Sequence, residues 1–537
     1  MTHSLSATHN AARPADRERR IAIVGAGPGG LAAAMLLSQA GAEVTVFERQ
    51  PHIGGRSATI EANTGAGSFR FDTGPTFFLY PRVLADIFAA CGRRLDRAVD
   101  LIRLDPQYDV VFEAGGRIRA TSDVPRMQAE IARLCPKDAE ALPRFMADNR
   151  KKLAAFKPIL EMPFLGLRDL VSGAMLKSLP HFRPHRTVDS DLRTYFSDER
   201  VRLAFSFQSK YLGMSPFRCP SLFTILSFME YEFGVYHPRG GCGAVMRAMA
   251  DVLRDQGVQL HLNTPVESLV MDGRTARGVR TRKGEQTFDA IVLNADFAHA
   301  MTNLVPDAAR RRWTDRKIAT KKFSCSTFML YLGIEGRVDG LAHHTIYLSE
   351  DYRRNVADIE AGLAPTEPSF YVQNACATDP SLAPPGHSTL YVLVPVGNLA
   401  AEAADWATVA QSYRAMVLRR LERIGITDIE RRIRFEHMVT PRDWEEDLAV
   451  HHGATFNLAH SLDQMMCFRP RNRFEDLENV YLVGGGTHPG SGLPVIFESA
   501  RITSRLMAED LKLTPHWDRA SAMAAPDFEP VLTEAAE

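Results

Sequence analysis

Long apolar runs are missing from this 537-residue chain: nowhere do eighteen or more apolar residues follow one another, so no helix is expected to cross a bilayer. An excess of one charge is missing too. Lysine plus arginine and aspartate plus glutamate number 64 each, a balance that argues against a nucleic-acid partner. The seven cysteines are odd in number and never stand as Cys-x-x-Cys, which argues against a redox dithiol or a zinc site and suits reduced thiols in the cytoplasm. Residues 1–18 lack the apolar segment of a secretory leader, and Arg19-Arg20 leads straight into a strand instead of an export signal. No internal repeat and no second dinucleotide fingerprint is found. The Ala, Pro and Glu content of 514–537 and the polar start mark both ends as flexible tails.

What is present begins at Ile21-Ala-Ile-Val-Gly25-Ala-Gly27-Pro-Gly-Gly30, an apolar strand running into three spaced glycines. A small-residue helical run from Leu31 to Ala40 follows, then a second strand, Val44-Thr-Val-Phe47, ending at Glu48. That context makes a phosphate cradle: Gly25 for the turn, Gly27 for close approach of a pyrophosphate, Gly30 for packing of helix on strand. The helix N-terminus offers unpaired N–H groups to the phosphates. Glu48 suits the two hydroxyls of an adenosine ribose and repels a 2′-phosphate, so FAD or NAD is expected before NADP.

A chain of this length exceeds the reach of one core, about 250 to 300 residues, and two domains are expected. The dinucleotide unit looks interrupted. It is expected to comprise 19–118, 230–300 and 470–513, with 119–229 and 301–469 forming a substrate and membrane-facing domain between flexible tails at 1–18 and 514–537. Near the end, Val480-Tyr-Leu-Val483 enters Gly484-Gly-Gly-Thr-His-Pro-Gly-Ser-Gly-Leu-Pro494 and a helix to about Leu511. A second strand, glycine loop and helix therefore meet the same cofactor. A flavin gains from a helix N-terminus beside its N1 and C2 carbonyl, where negative charge collects on reduction, whereas NAD gains nothing comparable. His52-Ile-Gly54-Gly55-Arg56 adds another tight turn whose guanidinium suits a pyrophosphate. The fold class expected is α/β: a Rossmann-type FAD-binding domain with a discontinuous mixed sheet-plus-helix substrate domain.

Several further segments join these: Phe71-Asp-Thr-Gly-Pro-Thr76, Phe205-Ser-Phe, Pro238-Arg-Gly-Gly241, Asn294-Ala-Asp296, Leu341-Ala-His-His-Thr345 and Phe468-Arg-Pro-Arg-Asn472. In this order the chain resembles the bacterial phytoene desaturase family of FAD-dependent carotenoid desaturases, within the amine-oxidase-like flavoproteins, over almost all of 20–513. The resemblance implies that Gly25, Gly27, Gly30, Glu48, Gly54, Gly55 and Arg56 hold the ADP half of FAD, that Val266 lies near the adenine, and that Gly486, Thr487, Leu493 and Pro494 border the flavin ring. It also implies an extended polyisoprenoid substrate in an apolar tunnel and a position on the inner face of the membrane. With no dithiol pair and no second nucleotide site, quinone or oxygen is the expected electron acceptor.

Phe205, Phe207, Phe217, Phe223, Phe228 and Phe233 suit such a channel and equally an ordinary core. Residues 156–179, apolar with Lys157, Arg168 and Lys177 interspersed, suit a bilayer surface and equally a buried helix hairpin. Asp169 matches a stretch where the family carries an acid considered for catalysis, but Ser172 stands where a basic residue usually follows. Val495 and Glu498 depart from the family's usual residues after the proline. Asp169 and Glu498 are thus the catalytic candidates. Terminal oxidation of a carotenoid, a hydroxysqualene-type conversion, amine oxidation and a non-enzymatic prenyl-protein chaperone stand as alternatives to desaturation. The pairs His343-His344 and His451-His452 are not expected to bind metal, because neighbours in a strand face opposite ways.

Overall fold

A computed structural model describes residues 18–515 and 517, apart from 182 and 402–403. The two expected tails fall almost wholly outside the described residues. The first layer is a five-stranded parallel sheet whose order across the sheet is Gln259–His261, Glu43–Phe47, Arg20–Val24, Ala290–Leu293 and Val480–Leu482. Three distant stretches of chain thus build one sheet. The four-residue run Ala290–Leu293 is buried throughout, as a strand covered on both faces must be. The helices Pro28–Gln39, Cys242–Asp255 and Leu493–Leu511 pack on one face in a shared apolar cluster. The other face carries a three-stranded antiparallel sheet, Val266–Asp272, Thr275–Thr281 and Gly284–Thr287, together with the helix Phe297–Leu304.

The second unit is a seven-stranded mixed sheet: Ile433–Val439, Ser326–Glu335, His387–Val396, Phe370–Gln373, His344–Leu348, Tyr108–Phe112 and Arg117–Ala120. The helix Trp406–Leu421 covers one side. The hairpin Thr59–Asp72 lays Phe69 and Phe71 against Met329 and Tyr331 on the other. A boundary at 118 therefore needs correction. Tyr108–Phe112 pairs in parallel with His344–Leu348 and antiparallel with Arg117–Ala120, so this hairpin extends the second sheet instead of closing the cofactor unit.

The stretch after 119 is largely helical, with Pro136–Glu161 its longest element. Phe205, Phe207 and Phe228 lie in its apolar core, with Phe217, Phe223 and Phe233 packed partly buried around them. The segment 156–179 divides into a buried and an exposed set of apolar side chains. Phe156, Ile159, Phe164 and Met175 are buried together, while Leu167, Val171, Leu176 and Leu179 are 54–69% exposed.

Candidate active site

The first strand stops at Gly25, whose φ of +101° is comfortable only for glycine and lets its N–H reach the Phe47 carbonyl at 2.8 Å. A Cβ on Gly30 would overlap the Gly25 carbonyl oxygen. The helix that follows begins at Gly27 with no side chain capping its first N–H groups, the condition an anion requires. Glu48 is buried. Its Oε2 accepts the Ala26 N–H at 2.7 Å and its Oε1 the Gln50 N–H at 2.9 Å, so the carboxylate braces the turn and keeps further lone pairs for a ribose. The Glu48 carbonyl accepts the Thr264 N–H, which brings the start of the Val266 strand alongside.

The second glycine turn lies on the first. Gly54 donates to the Ala26 carbonyl at 2.9 Å, and a Cβ on Gly55 would stand 3.6 Å from the Gly27 Cα. Arg56 follows, and its Nη1 is buried without a hydrogen-bond partner among the described residues. Burial holds its pKa below the usual arginine value, opposed by the charge of Asp296. A desolvated guanidinium nitrogen without an acceptor beside an uncapped helix start fits a pyrophosphate.

At the other end of the chain, the helix Leu493–Leu511 starts after Gly492, again with no side-chain cap and with Pro494 in its first turn. A Cβ on Gly486 would crowd Phe297 and Asn457. The Thr487 hydroxyl donates to the Pro470 carbonyl at 2.6 Å. This loop is held by Arg469, which is fully buried and donates to the carbonyls of Leu458, Gly485 and Thr487. Desolvation pushes its pKa down to about 9. Asn472 likewise donates to the His488 carbonyl.

Asn294 brings the two ends together. Its Nδ2 donates to the Gly25 carbonyl at 3.0 Å, and its Oδ1 would lie 2.7 Å from a Cβ on Gly29 and 3.3 Å from one on Gly484. Both glycine loops therefore close on one amide. Asp296, two residues on, caps the helix Phe297–Leu304 through the His299 N–H and accepts from Asn457 at 2.6 Å.

Each of the two catalytic candidates has partners within the described residues, though Glu498 Oε1 has none. Asp169 Oδ2 accepts the N–H groups of Leu165 and Gly166 at 2.7 and 2.8 Å, locking a turn in the exposed apolar segment. Glu498 is buried and accepts from Arg501 at 2.8 Å. Burial raises its pKa, with the Arg501 charge opposing.

A different group of titratable side chains sits beside the cofactor loops. Segment 72–76 is pinned by the hydroxyls of Tyr331 on the Thr73 carbonyl and Tyr391 on the Gly74 carbonyl, and Gly74 packs against the Arg56 backbone. Thr76 Oγ1 lies 2.7 Å from the Tyr371 hydroxyl, which lies 2.7 Å from His344 Nδ1. The His344 ring stacks on Phe77 at 4.0 Å. The Tyr108 ring lies 6.0 Å from that of Phe77, and its hydroxyl donates to the buried Glu230 at 2.8 Å, as Gln208 does at 2.9 Å; desolvation raises the Glu230 pKa to about 7 despite these bonds. Periodicity gives no sign of this cluster, whose members are scattered along the chain between Asp72 and Tyr391. Its traces in the sequence are Thr76 in the segment Phe71–Thr76 and His344 in the segment Leu341–Thr345.

Residues 28–508 match the family of flavin containing amine oxidoreductases. The chain belongs to that family. Within it, the chain is 44% identical over 494 residues to a 4,4′-diapophytoene desaturase (4,4′-diapolycopene-forming) of Methylomonas sp, covering 91% of this chain and 95% of that one. It is 35% identical over 496 residues to a phytoene desaturase (lycopene-forming) of Pantoea ananas, covering 91% and 99%. Among solved structures, putrescine oxidase bound to putrescine superposes with a TM-score of 0.58 at 17% identity over 92% of this chain and 99% of that one. An oxidoreductase from Methanosarcina mazei gives 0.59 at 20% identity over 91% and 99%. Those two likenesses carry the fold alone. The chain is a flavoprotein of carotenoid desaturase type with FAD as its cofactor, in agreement with an orphaned Arg56 and two uncapped helix starts around Asn294.

Proposed function

We propose that this enzyme introduces C=C bonds into an acyclic polyisoprenoid of the diapophytoene or phytoene kind. The observation that carries the reading is the closure of both glycine loops on Asn294 in a chain that matches a desaturase at 44% identity over nearly its whole length. FAD bound there supplies an acceptor for two electrons and a hydrogen. Gly25, Gly27, Gly30, Gly54 and Gly55 admit the pyrophosphate, Arg56 neutralises it, Glu48 takes the ribose with Val266 beside the adenine, and Gly486, Thr487, Leu493 and Pro494 border the ring. The remaining work of the protein is to exclude water and align one saturated C–C unit, since effective positioning supplies much of such a barrier.

Leu167, Val171, Leu176 and Leu179, four of the six large apolar side chains that are most exposed among the described residues, support a peripheral seat on a bilayer from which a lipid-dissolved substrate enters. Among the described residues no helix is long and apolar enough to cross a membrane. Quinone or oxygen is the acceptor proposed for re-oxidation. The test is to supply diapophytoene and phytoene separately to the FAD-loaded enzyme and weigh the products. Loss of two hydrogens per step supports the reading, and gain of oxygen or no conversion of either polyene overturns it.

A further inference from the structure

We propose that His344 is the catalytic base that removes the proton in the desaturation step, an inference that rests on the reading above. Forming the new double bond breaks two C–H bonds. One breaks with its electron pair, which passes with the hydrogen to FAD as oxidant. At the adjacent carbon the electron pair stays behind as the π bond, and the proton needs an acceptor inside a dry site. Of the two carboxylates that the sequence offered, Asp169 holds backbone N–H groups through Oδ2, and Glu498 is paired with Arg501 through Oε2 while its Oε1 has no partner among the described residues, so that a proton taken by Glu498 would weaken its ion pair.

His344 is not committed. It is fully buried, and its Nε2 has no hydrogen-bond partner among the described residues, an arrangement that native interiors keep for a reason. Two hydrogen bonds, Thr76 to Tyr371 and Tyr371 to His344 Nδ1, connect it to the segment packed on Arg56. If Tyr371 donates to Thr76, its oxygen accepts the Nδ1 proton and Nε2 presents a lone pair. Stacking on Phe77 fixes the ring plane.

The neighbours suit the task. Burial, with the rings of His343 and His237 nearby, holds His344 well below the usual imidazole pKa, so it rests neutral and ready. A weak base suffices, because a carbon beside a carbon losing hydride is strongly acidic. His343 is less suited: its Nδ1 meets Thr378 and its Nε2 meets Gln373.

The test has two readouts on the FAD-loaded protein. Nitrogen-15 NMR of histidine-labelled enzyme, with His344 assigned by loss of its signals in His344→Gln, is expected to show the Nδ1–H tautomer, and that preference should vanish in Tyr371→Phe. An Nε2–H tautomer in the wild type overturns the proposal. In anaerobic single turnover with diapophytoene or phytoene, His344→Gln should bleach the flavin at least about a hundredfold more slowly than wild type, the lower range for loss of a general base, with FAD affinity unchanged. An unchanged rate overturns it, as does a block seen in Glu230→Gln and not in His344→Gln. Should His344→Gln fail to fold, the histidine signals that shift in Tyr371→Phe assign His344, and the wild-type tautomer decides. A wild-type enzyme that converts neither polyene brings down the desaturase reading itself, whereas one that desaturates normally beside a fully active His344→Gln brings down only the base.

Discussion

Asn294 and Gly25 are 269 positions apart, yet the Asn294 amide donates to the Gly25 carbonyl at 3.0 Å. The same amide abuts the turn at Gly484, so one side chain bridges the two loops proposed to hold FAD. Asn294→Ala should leave the Gly25 carbonyl without its donor, at a cost of about 1–3 kcal/mol. The expected outcome is a lower flavin-to-protein ratio after purification and a lower melting temperature that excess FAD partly restores, as ligand linkage requires. Gly30→Val should go further, because even a Cβ there overlaps the Gly25 carbonyl. Absorbance of the bound flavin measures both.

Arg56 offers a prediction with opposite signs for the two states. Its Nη1 is buried without an acceptor among the described residues, a cost in the cofactor-free protein and a gain once a pyrophosphate arrives. Arg56→Met should therefore hold or raise the melting temperature of the cofactor-free protein while weakening FAD binding about 10- to 100-fold, the equivalent of the roughly 1.5–3 kcal/mol given by a hydrogen bond to a charged group. Titration of the apoprotein followed by flavin fluorescence reads the affinity. Equal affinity would show that the guanidinium serves the fold alone.

The parts of this site that were legible in the sequence are those whose physics is local. Gly25 and Gly30 announce themselves because a turn and a close helix-strand contact forbid side chains within a few residues of one strand, and Leu493–Leu511 because a helix follows its glycine loop directly. Asn294 and Arg469 were visible only as letters in a segment, since what each does depends on carbonyls brought in from elsewhere by the fold. The expected domain boundary at 118 cuts the hairpin Tyr108–Ala120 for the same reason: strand periodicity fixes which faces are buried, and only pairing with His344–Leu348 says where the strand belongs. For 156–179 the alternation of buried and exposed apolar residues was too irregular for one period to capture.

The exposed side chains in that segment give a prediction about location. Replacing Leu167, Val171, Leu176 and Leu179 together by serine should leave folding stability nearly unchanged, because exposed positions contribute little to it. Vesicle binding should fall by about two orders of magnitude or more, since each leucine or valine that enters the bilayer interface brings on the order of 1 kcal/mol. Co-sedimentation with anionic liposomes measures this. Turnover of polyene delivered in detergent should survive while turnover of polyene dissolved in liposomes should drop.

Glu230 supplies the last prediction, and its sign follows from burial. Folding raises its pKa from an ordinary 4.5 to about 7, mainly by desolvation. Between those values the folded protein binds a proton that the unfolded chain has released, so this group makes stability fall as pH rises from about 5 to about 7 and adds nothing further above that. Below 4.5 both forms are protonated and the penalty vanishes. Glu230→Gln keeps an oxygen for the Tyr108 and Gln208 donors and removes the charge. Its stability should match wild type near pH 4.5 and exceed it at pH 8, by roughly 3 kcal/mol for a shift of this size. Urea unfolding of both proteins at the two pH values, with FAD saturating, reads the difference; a variant equally destabilised at both would mean that the carboxyl is ionised in the folded state across the whole range and paired more strongly than its neighbours suggest.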